Sequence, residues 1–404
     1  MLPRKVVASH VGDRNSPPIF GDDFARDPYR PLAALRARAP AHKVLTPDGT
    51  GLWITTGYQD TRAVLDDPTM GKDADGLRAA LKRPGTVHEI DRMIAFTDPP
   101  EHTRLRRLIV SAFTTARVAA LRPRIESVAE RLVHRMRRAD GPADLIADFA
   151  VPLPFTVICE LLGVPNEDRP GFRAAWSRLR SAASGTTAHT AAANKMAEVL
   201  SRIVRAKRGE GTDDLLAALV NAPGDGERLT RTELVAMAYA LLVAGHETTA
   251  NLIGNGTLCL LTHPQQYDLI RTDAGLVPGA VHELLRYESP VYLATHRFTT
   301  VPVQLGHVTV PAGEVVLAGL GPANRDPRRF PDPDRLDITR TGGGHLSFGH
   351  GIHRCLGAPL ALLEAEVALT VLPALRLAVP PDRLDWHTTT VFRGLNHLPV
   401  TLAT

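Results

Sequence analysis

The sequence predicts a mainly α-helical protein with small β-sheets. Three observations carry this. Residues 230–262 form one long helical stretch, 101–138 and 142–220 repeat Leu, Ile and Val at helical spacing, and short alternating runs with turn signals crowd into 296–319. With no internal repeat and no linker composition, a single domain over residues 1–404 is expected. A chain of 404 residues buries roughly three quarters of the surface its unfolded form exposes, so it needs no disulfide or metal staple.

The elements follow in chain order. LWITT (52–56) alternates like a strand, and Gly57 ends it. Helical spacing over 59–67 and 101–138 is interrupted by KDADGLRAALKRPGTVHEID (72–91), a long loop with room for one short helix. Loops of that length inside a compact domain usually serve function. The helical pattern of 142–220 breaks at Pro165, at Pro170 and at SAASGTTAHTAAAN (181–194), a helix–helix connection. Thr230 and Glu233 form a capping box at the start of the longest helix, and His263-Pro264 ends it. Thirty-odd residues at ~1.5 Å rise make a rod of about 50 Å. Gly245, Gly254 and Gly256 lie inside it, each weakening a helix by ~1 kcal/mol relative to Ala. Their presence predicts a local distortion or the close approach of something bulky. GAVHELLRYESP (279–290) is a further helix stopped by Pro290. HRFTT (296–300), HVTV (307–310) and EVVLAG (314–319) are short strands, with a PAG turn at 311–313. Residues 321–344 are irregular, a helix resumes after Cys355, and short strands end the chain.

Composition excludes several classes. At 44% hydrophobic and 22% charged residues the chain is neither disordered nor collagen-like. No apolar run reaches the ~18–20 residues that cross a bilayer. The best, LVAMAYALLVAG (234–245), is short and is followed by His246 and Glu247. The first residues, MLPRKVVASHVGDRN, carry no sustained apolar segment and no small-residue cleavage site, so a cytoplasmic protein without membrane insertion is expected. A net charge of +4 permits an acidic partner but makes no basic stripe, so no nucleic acid is expected.

The three cysteines are far apart and none forms a CxxC pair, which leaves zinc ribbons, redox dithiols and disulfide frameworks without support. Cys159 and Cys259 sit among aliphatic residues and read as small buried hydrophobes. Cys355 differs. It lies in FGHGIHRCLG (348–357), just before a Leu/Ala/Glu helix. A helix N-terminus favours thiolate over thiol. Gly349, Gly351 and Gly357 clear the backbone for a flat, bulky group. A thiolate facing a planar group is the arrangement for axial ligation of haem iron.

Phe348, Gly351, Cys355 and Gly357 fill an FxxGxxxCxG pattern that resembles the haem signature of the cytochrome P-450 superfamily. AGHETT (244–249) resembles the oxygen-activation motif of that family's long central helix, ELLR (283–286) its ExxR pair, and ANRDPRRFPDPDRLDITR (323–340) the stretch before the haem loop. DPPEHTRLRRLI (98–109) is similar to the bacterial soluble members, and the Arg- and Ala-rich composition resembles actinobacterial members of secondary metabolism. The resemblance spans nearly the whole chain. It implies the cytochrome P-450 fold, with haem b between the long helix and the loop bearing Cys355, the axial ligand.

The resemblance also assigns roles. Glu247 and Thr248 steer protons during oxygen activation, and Gly245 shapes the oxygen pocket. Read from the residues alone, Thr248 can bond back to the Ala244 carbonyl and loosen the helix there. Zinc-protease HExxH chemistry fails, since residue 250 is Ala. Glu283 and Arg286 take a structural role behind the haem loop, joined by Arg325 or Arg329. His102, Arg106, Arg297 and His353 hold the haem propionates, and Phe348 and Gly349 line the cofactor. The implied substrate walls are Ile94, Phe96, Val243, Ala244, Val291, Leu293, Val391 and Phe392, which suit a lipophilic small molecule. Two departures stand out. Leu336 replaces a common Phe, and His282 replaces an acidic residue before ExxR.

The implied activity is insertion of one oxygen atom from O2 into a polyketide, macrolide or other secondary metabolite, by hydroxylation or epoxidation. No flavin or nicotinamide fingerprint occurs in the chain, so NAD(P)H electrons come through a separate ferredoxin and its reductase. Arg104, Arg107 and Arg354 offer a basic face for that ferredoxin. The alternatives are a peroxide-driven haem peroxygenase and a non-catalytic haem-based sensor, neither of which needs Glu247 and Thr248 together.

Overall fold

The structure is a computed structural model that describes residues 19–46, 49–82, 88–138, 140–181, 186–207, 214–221, 228–386 and 390–402. The N-terminal segment 1–15, part of the 72–91 loop and part of the 181–194 connection lie outside the described residues. The chain groups into two compact units, one of residues 1–71, 126–153 and 248–404, the other of 72–125 and 154–247.

The first unit holds the sheets. The largest has five strands in the order Ala41–Leu45, Gly51–Thr55, Val315–Ala318, Arg297–Thr299, Met70–Gly71. Gly51–Thr55 and Val315–Ala318 run parallel, with Trp53 opposite Val316. Val315–Ala318 is buried at all four positions, as a central strand of continuous apolar residues should be. A second sheet sets Pro399–Leu402 between Ala143–Asp144 and Leu375–Leu377. Val303–Leu305 and Val308–Val310 form a hairpin.

In the same unit, the helix Val277–Tyr287 presents Ala280 and Leu284 to a core with Cys259, Leu260, Leu336 and Ile338. Leu336 thus fills an apolar core position. Arg286 and Glu283 of this helix form a buried fork, Nε donating to Oε2 at 2.7 Å and Nη2 to Oε1 at 2.8 Å. Arg286 also donates to the carbonyls of Asn324 (3.0 Å), Pro333 (2.8 Å) and Arg335 (3.2 Å). The arginine that joins the pair is Arg340, whose Nε lies 3.2 Å from Glu283 Oε1. This corrects the assignment to Arg325 or Arg329. Arg325 pairs with Asp334 and stacks on Tyr287, and Arg329 donates to the Gly343 carbonyl.

The second unit is helical among its described residues, and Arg169–Ser181 packs against Thr187–Ala206. The short helix expected within the 72–91 loop is Ala74–Ala80, with Asp73 Oδ1 accepting from Gly76 N at 2.7 Å. No helix among the described residues is long and apolar enough to cross a membrane.

The longest helix is Arg231–Leu261. Its capping box is formed, Thr230 N donating to Glu233 Oε2 at 2.6 Å and Glu233 N to Thr230 Oγ1 at 3.2 Å. It is α-helical throughout, and of the two expectations for its glycines the close approach is the one seen. Close approach is the reason for them. A Cβ at Gly245 would lie 2.9 Å from Ile158, at Gly254 2.5 Å from Ile146, and at Gly256 3.1 Å from Leu284.

Glu364, on the helix Ala358–Val371, is fully buried, and neither carboxyl oxygen has a hydrogen-bond partner among the described residues. Burial therefore holds its acid well above the ordinary 4.5. The folded state keeps a proton that the unfolded state releases, so stability falls as pH rises past the unfolded value. Glu364→Gln should become progressively more stable than the parent between about pH 5 and pH 8. Parallel melting curves for the two proteins across that range would refute a protonated Glu364. Arg286→Met should cost ~3–5 kcal/mol in urea unfolding because it strands the buried Glu283 carboxylate, while Glu283→Met/Arg286→Met should cost less. Equal losses in both variants would contradict the charge argument.

Candidate active site

The loop before Cys355 is shaped by its glycines and fastened through its backbone. Gly349 and Gly351 both have φ of 70°, in the left-handed region that favours glycine. A Cβ at Gly351 would also meet the Leu65 carbonyl oxygen and Asp66 Oδ1, each at 2.9 Å. Tyr58 donates to the Gly344 carbonyl at 2.6 Å, and Leu346 N donates to Asn324 Oδ1 at 2.6 Å. Ser347 Oγ donates to the Leu285 carbonyl at 2.7 Å and accepts from Asn324 Nδ2 at 2.8 Å. Cys355 N donates to the Phe348 carbonyl at 2.8 Å, which closes the loop on itself.

Cys355 is exposed, whereas Cys159 and Cys259 are buried as expected. Burial pushes the Cys159 thiol up to about 12 and raises Cys259 as well, so neither is a thiolate near neutral pH. Gly357 caps the helix Ala358–Val371, and a Cβ there would lie 3.9 Å from Cys355 Sγ.

His282 has a partner that sequence reasoning did not foresee. Its Nδ1 is 3.1 Å from His345 Nε2, and His345 Nδ1 accepts from Ser347 N at 3.3 Å. Burial, with His282, Arg286 and Arg354 nearby, pushes His345 down to about 3. A neutral imidazole here clips the loop to the ExxR helix. Asn324, Ser289, Ser347 and Tyr58 also escaped notice, because nothing local marks a side chain that bonds a backbone far along the chain.

On the long helix most positions around 234–260 are buried; besides Val243, the exceptions are Leu241, Ala244, Gly245 and Thr248. Their spacing of three and four residues places them on one stripe. Ala244 is exposed within it. Glu247 is 7% exposed. His246 points into its own unit, its Nδ1 donating to the Leu242 carbonyl at 2.6 Å and its ring meeting Phe155 and Trp176 edge-on.

Of the residues expected to hold carboxylates, Arg297 and His353 belong to the first unit, where Arg297 is buried on its strand and His353 is half-buried beside the cysteine. His102 and Arg106 belong to the second, one turn apart on the helix Glu101–Ala112. Burial, with Arg106 and Lys72 adding to it and Asp98 opposing, lowers His102 below its ordinary 6.5. It therefore acts as a neutral N–H donor near pH 7. Arg104 pairs with Glu101 and Glu233 of its own unit, which removes it from the expected basic face. Arg107 and Arg354 are exposed.

Ile94, Phe96, Val243, Val291, Val391 and Phe392 are half-buried, as residues that border an accessible space would be. Leu293 is corrected, because at 1% exposure it packs into the core of its unit and cannot form an accessible wall.

The profile of the family described as Cytochrome P450 matches residues 164–277 and 272–390. The chain is 48% identical over 400 residues to Cytochrome P450 monooxygenase PikC of Streptomyces venezuelae, covering 96% of this chain and 95% of that protein. It is 41% identical over 407 residues to 6-deoxyerythronolide B hydroxylase of Saccharopolyspora erythraea, covering 96% and 98%. Among solved structures, the tirandamycin C-bound P450 monooxygenase TamI superposes with a TM-score of 0.86 at 43% identity, covering 95% of this chain and 99% of that one. With these matches, the helical fold and the cysteine loop, the chain belongs to the cytochrome P450 family and is a monooxygenase of its bacterial secondary-metabolism type.

Proposed function

We propose that this enzyme inserts one oxygen atom from O2 into a lipophilic small molecule of the polyketide or macrolide class, by hydroxylation or epoxidation. Residues 1–404 act as one functional domain, in the cytoplasm, with electrons supplied by a ferredoxin and its reductase. The observation that carries this reading is Cys355. Of the three cysteines it is the exposed one, and it stands on a loop whose backbone is held in place.

The residues present fit haem b. The family binds haem through a cysteine thiolate, and Cys355 offers a sulfur beside glycines that keep side chains away from it. When bound, haem supplies reductive activation of O2 and delivery of one oxygen atom. The protein's own residues do the rest. Cys355 Sγ would hold the iron, and Phe348 and Gly349 would line the cofactor. By the family's pattern, Arg297 and His353 of the first unit, and His102 and Arg106 of the second, would each offer a cation or N–H donor to a propionate. Gly245, packed close against Ile158, sets how the helix carries the neighbouring Ala244 face. Thr248 Oγ1 and the Glu247 carboxylate hold and move protons. The half-buried apolar walls exclude water and position the substrate. PikC and 6-deoxyerythronolide B hydroxylase, as a monooxygenase and a hydroxylase, support the reaction class.

Protein reduced in the presence of carbon monoxide should show the difference spectrum of a thiolate-ligated haem, and Cys355→His should lose it. A parent protein without that spectrum would end this reading. Thr248→Ala and Glu247→Ala should keep the spectrum but lower product formation roughly 10²-fold and divert NAD(P)H electrons to peroxide. Unchanged coupling would favour a peroxygenase or a sensor. Electron transfer from ferredoxin should slow as ionic strength rises, with Arg354→Glu weakening the salt dependence. A rate indifferent to salt would remove the basic docking face.

A further inference from the structure

The segment Val391–Gly394 carries two of the proposed substrate walls and has almost no sheet to hold it. Val291 and Phe392 form an isolated antiparallel bridge. Two backbone bonds flank it, Tyr292 N to the Val391 carbonyl at 3.1 Å and Arg393 N to the Pro290 carbonyl at 2.8 Å. A ladder this short has little resistance to slippage, and a slip of one residue would turn every side chain to the other face. The register must be set by side chains.

Arg393 supplies them. It is 4% exposed, and its Nε donates to Glu288 Oε1 at 2.6 Å. Its Nη1 and Nη2 donate to the carbonyls of Ala25 and Arg26, at the end of the helix Asp22–Arg26. The guanidinium lies 3.7 Å from the Trp386 ring centroid. Tyr29 donates to the same Glu288 oxygen at 2.9 Å. Glu288 precedes Val291 by three residues and Arg393 follows Phe392 directly, so in this antiparallel pair the ion pair clamps one end of the bridge. The long helix secures the other side. Asn255 Nδ2 donates to the Arg393 carbonyl at 2.9 Å, and a Cβ at Gly394 would lie 2.1 Å from Asn251 Oδ1.

A buried ion pair adds little net stability over apolar residues of the same shape, and its best-attested use is to fix register. We propose that Arg393, acting through Glu288, is a positioning residue that sets the register of Val291 against Phe392 and so determines which ligands fit the site. This rests on the reading of Val291, Val391 and Phe392 as substrate walls.

The test uses haem-loaded full-length enzyme and two azole probes, imidazole and 4-phenylimidazole, titrated by difference spectroscopy. Imidazole needs only the iron, whereas 4-phenylimidazole also needs the walls. Glu288→Met/Arg393→Met removes the pair without stranding a charge, and Arg393→Lys keeps the charge but loses the fork. The 4-phenylimidazole to imidazole ratio of Kd should change by about fivefold or more in the double variant and by less in Arg393→Lys. A role in stability alone would lower the melting temperature and leave the ratio at the parental value, which overturns the proposal. If the double variant does not fold, Arg393→Lys and Gly394→Ala decide, and parental ratios in both overturn it. Absence of any azole spectrum in the parent would instead sink the haem reading on which the inference stands.

Discussion

The fork between Arg286 and Glu283 is the contact on which the most other structure depends. Neither charge reaches water, so each must be met by groups held in place. Arg286 gathers the carbonyls of Asn324, Pro333 and Arg335, and Glu283 takes the Asp337 N–H and Arg340. The irregular stretch from 323 to 340 has no helix or ladder of its own over most of its length. Beside the stretch's own turn hydrogen bonds, the pair supplies those that tie it to the helix Val277–Tyr287.

From there the order passes along the chain. Asn324, whose carbonyl is held by Arg286, turns its side-chain amide to Leu346, Ser347 and Ser289. Those residues anchor the approach to Cys355, and the His282–His345 contact adds a second tie from the same helix. The position of one sulfur is thus linked to a buried ion pair through a few polar side chains, each satisfied at both ends. Such a network is sensitive to partial loss, because every orphaned member carries its own desolvation cost.

Much of this was legible in the sequence. The capping box, the stops at Pro264 and Pro290 and the alternating strands depend on neighbours within a few residues, and they formed where the pattern placed them, whereas Pro170 lies in the first turn of the helix Arg169–Ser181 and does not break it. Cys355, Glu283 and Arg286 stood out because their motifs are local. What the sequence left hidden was pairing across distance. Arg340 could not be separated from Arg325 and Arg329, since all three share one irregular segment and only the fold decides which faces Glu283. The glycines of the long helix pointed to distortion as readily as to close packing, because the colliding atoms belong to Ile146, Ile158 and Leu284. Leu293 looked like the other apolar wall candidates until the fold showed it buried.

The close contacts at Gly254 and Gly256 have a mechanical consequence. With Ile146 and Leu284 seated against bare backbone, the second half of the long helix is keyed like a toothed rack. Sliding or rolling it by one residue would drive a side chain into a branched neighbour. Any adjustment around it therefore falls to rotamers and to the short, weakly paired segments, while this rod keeps its place.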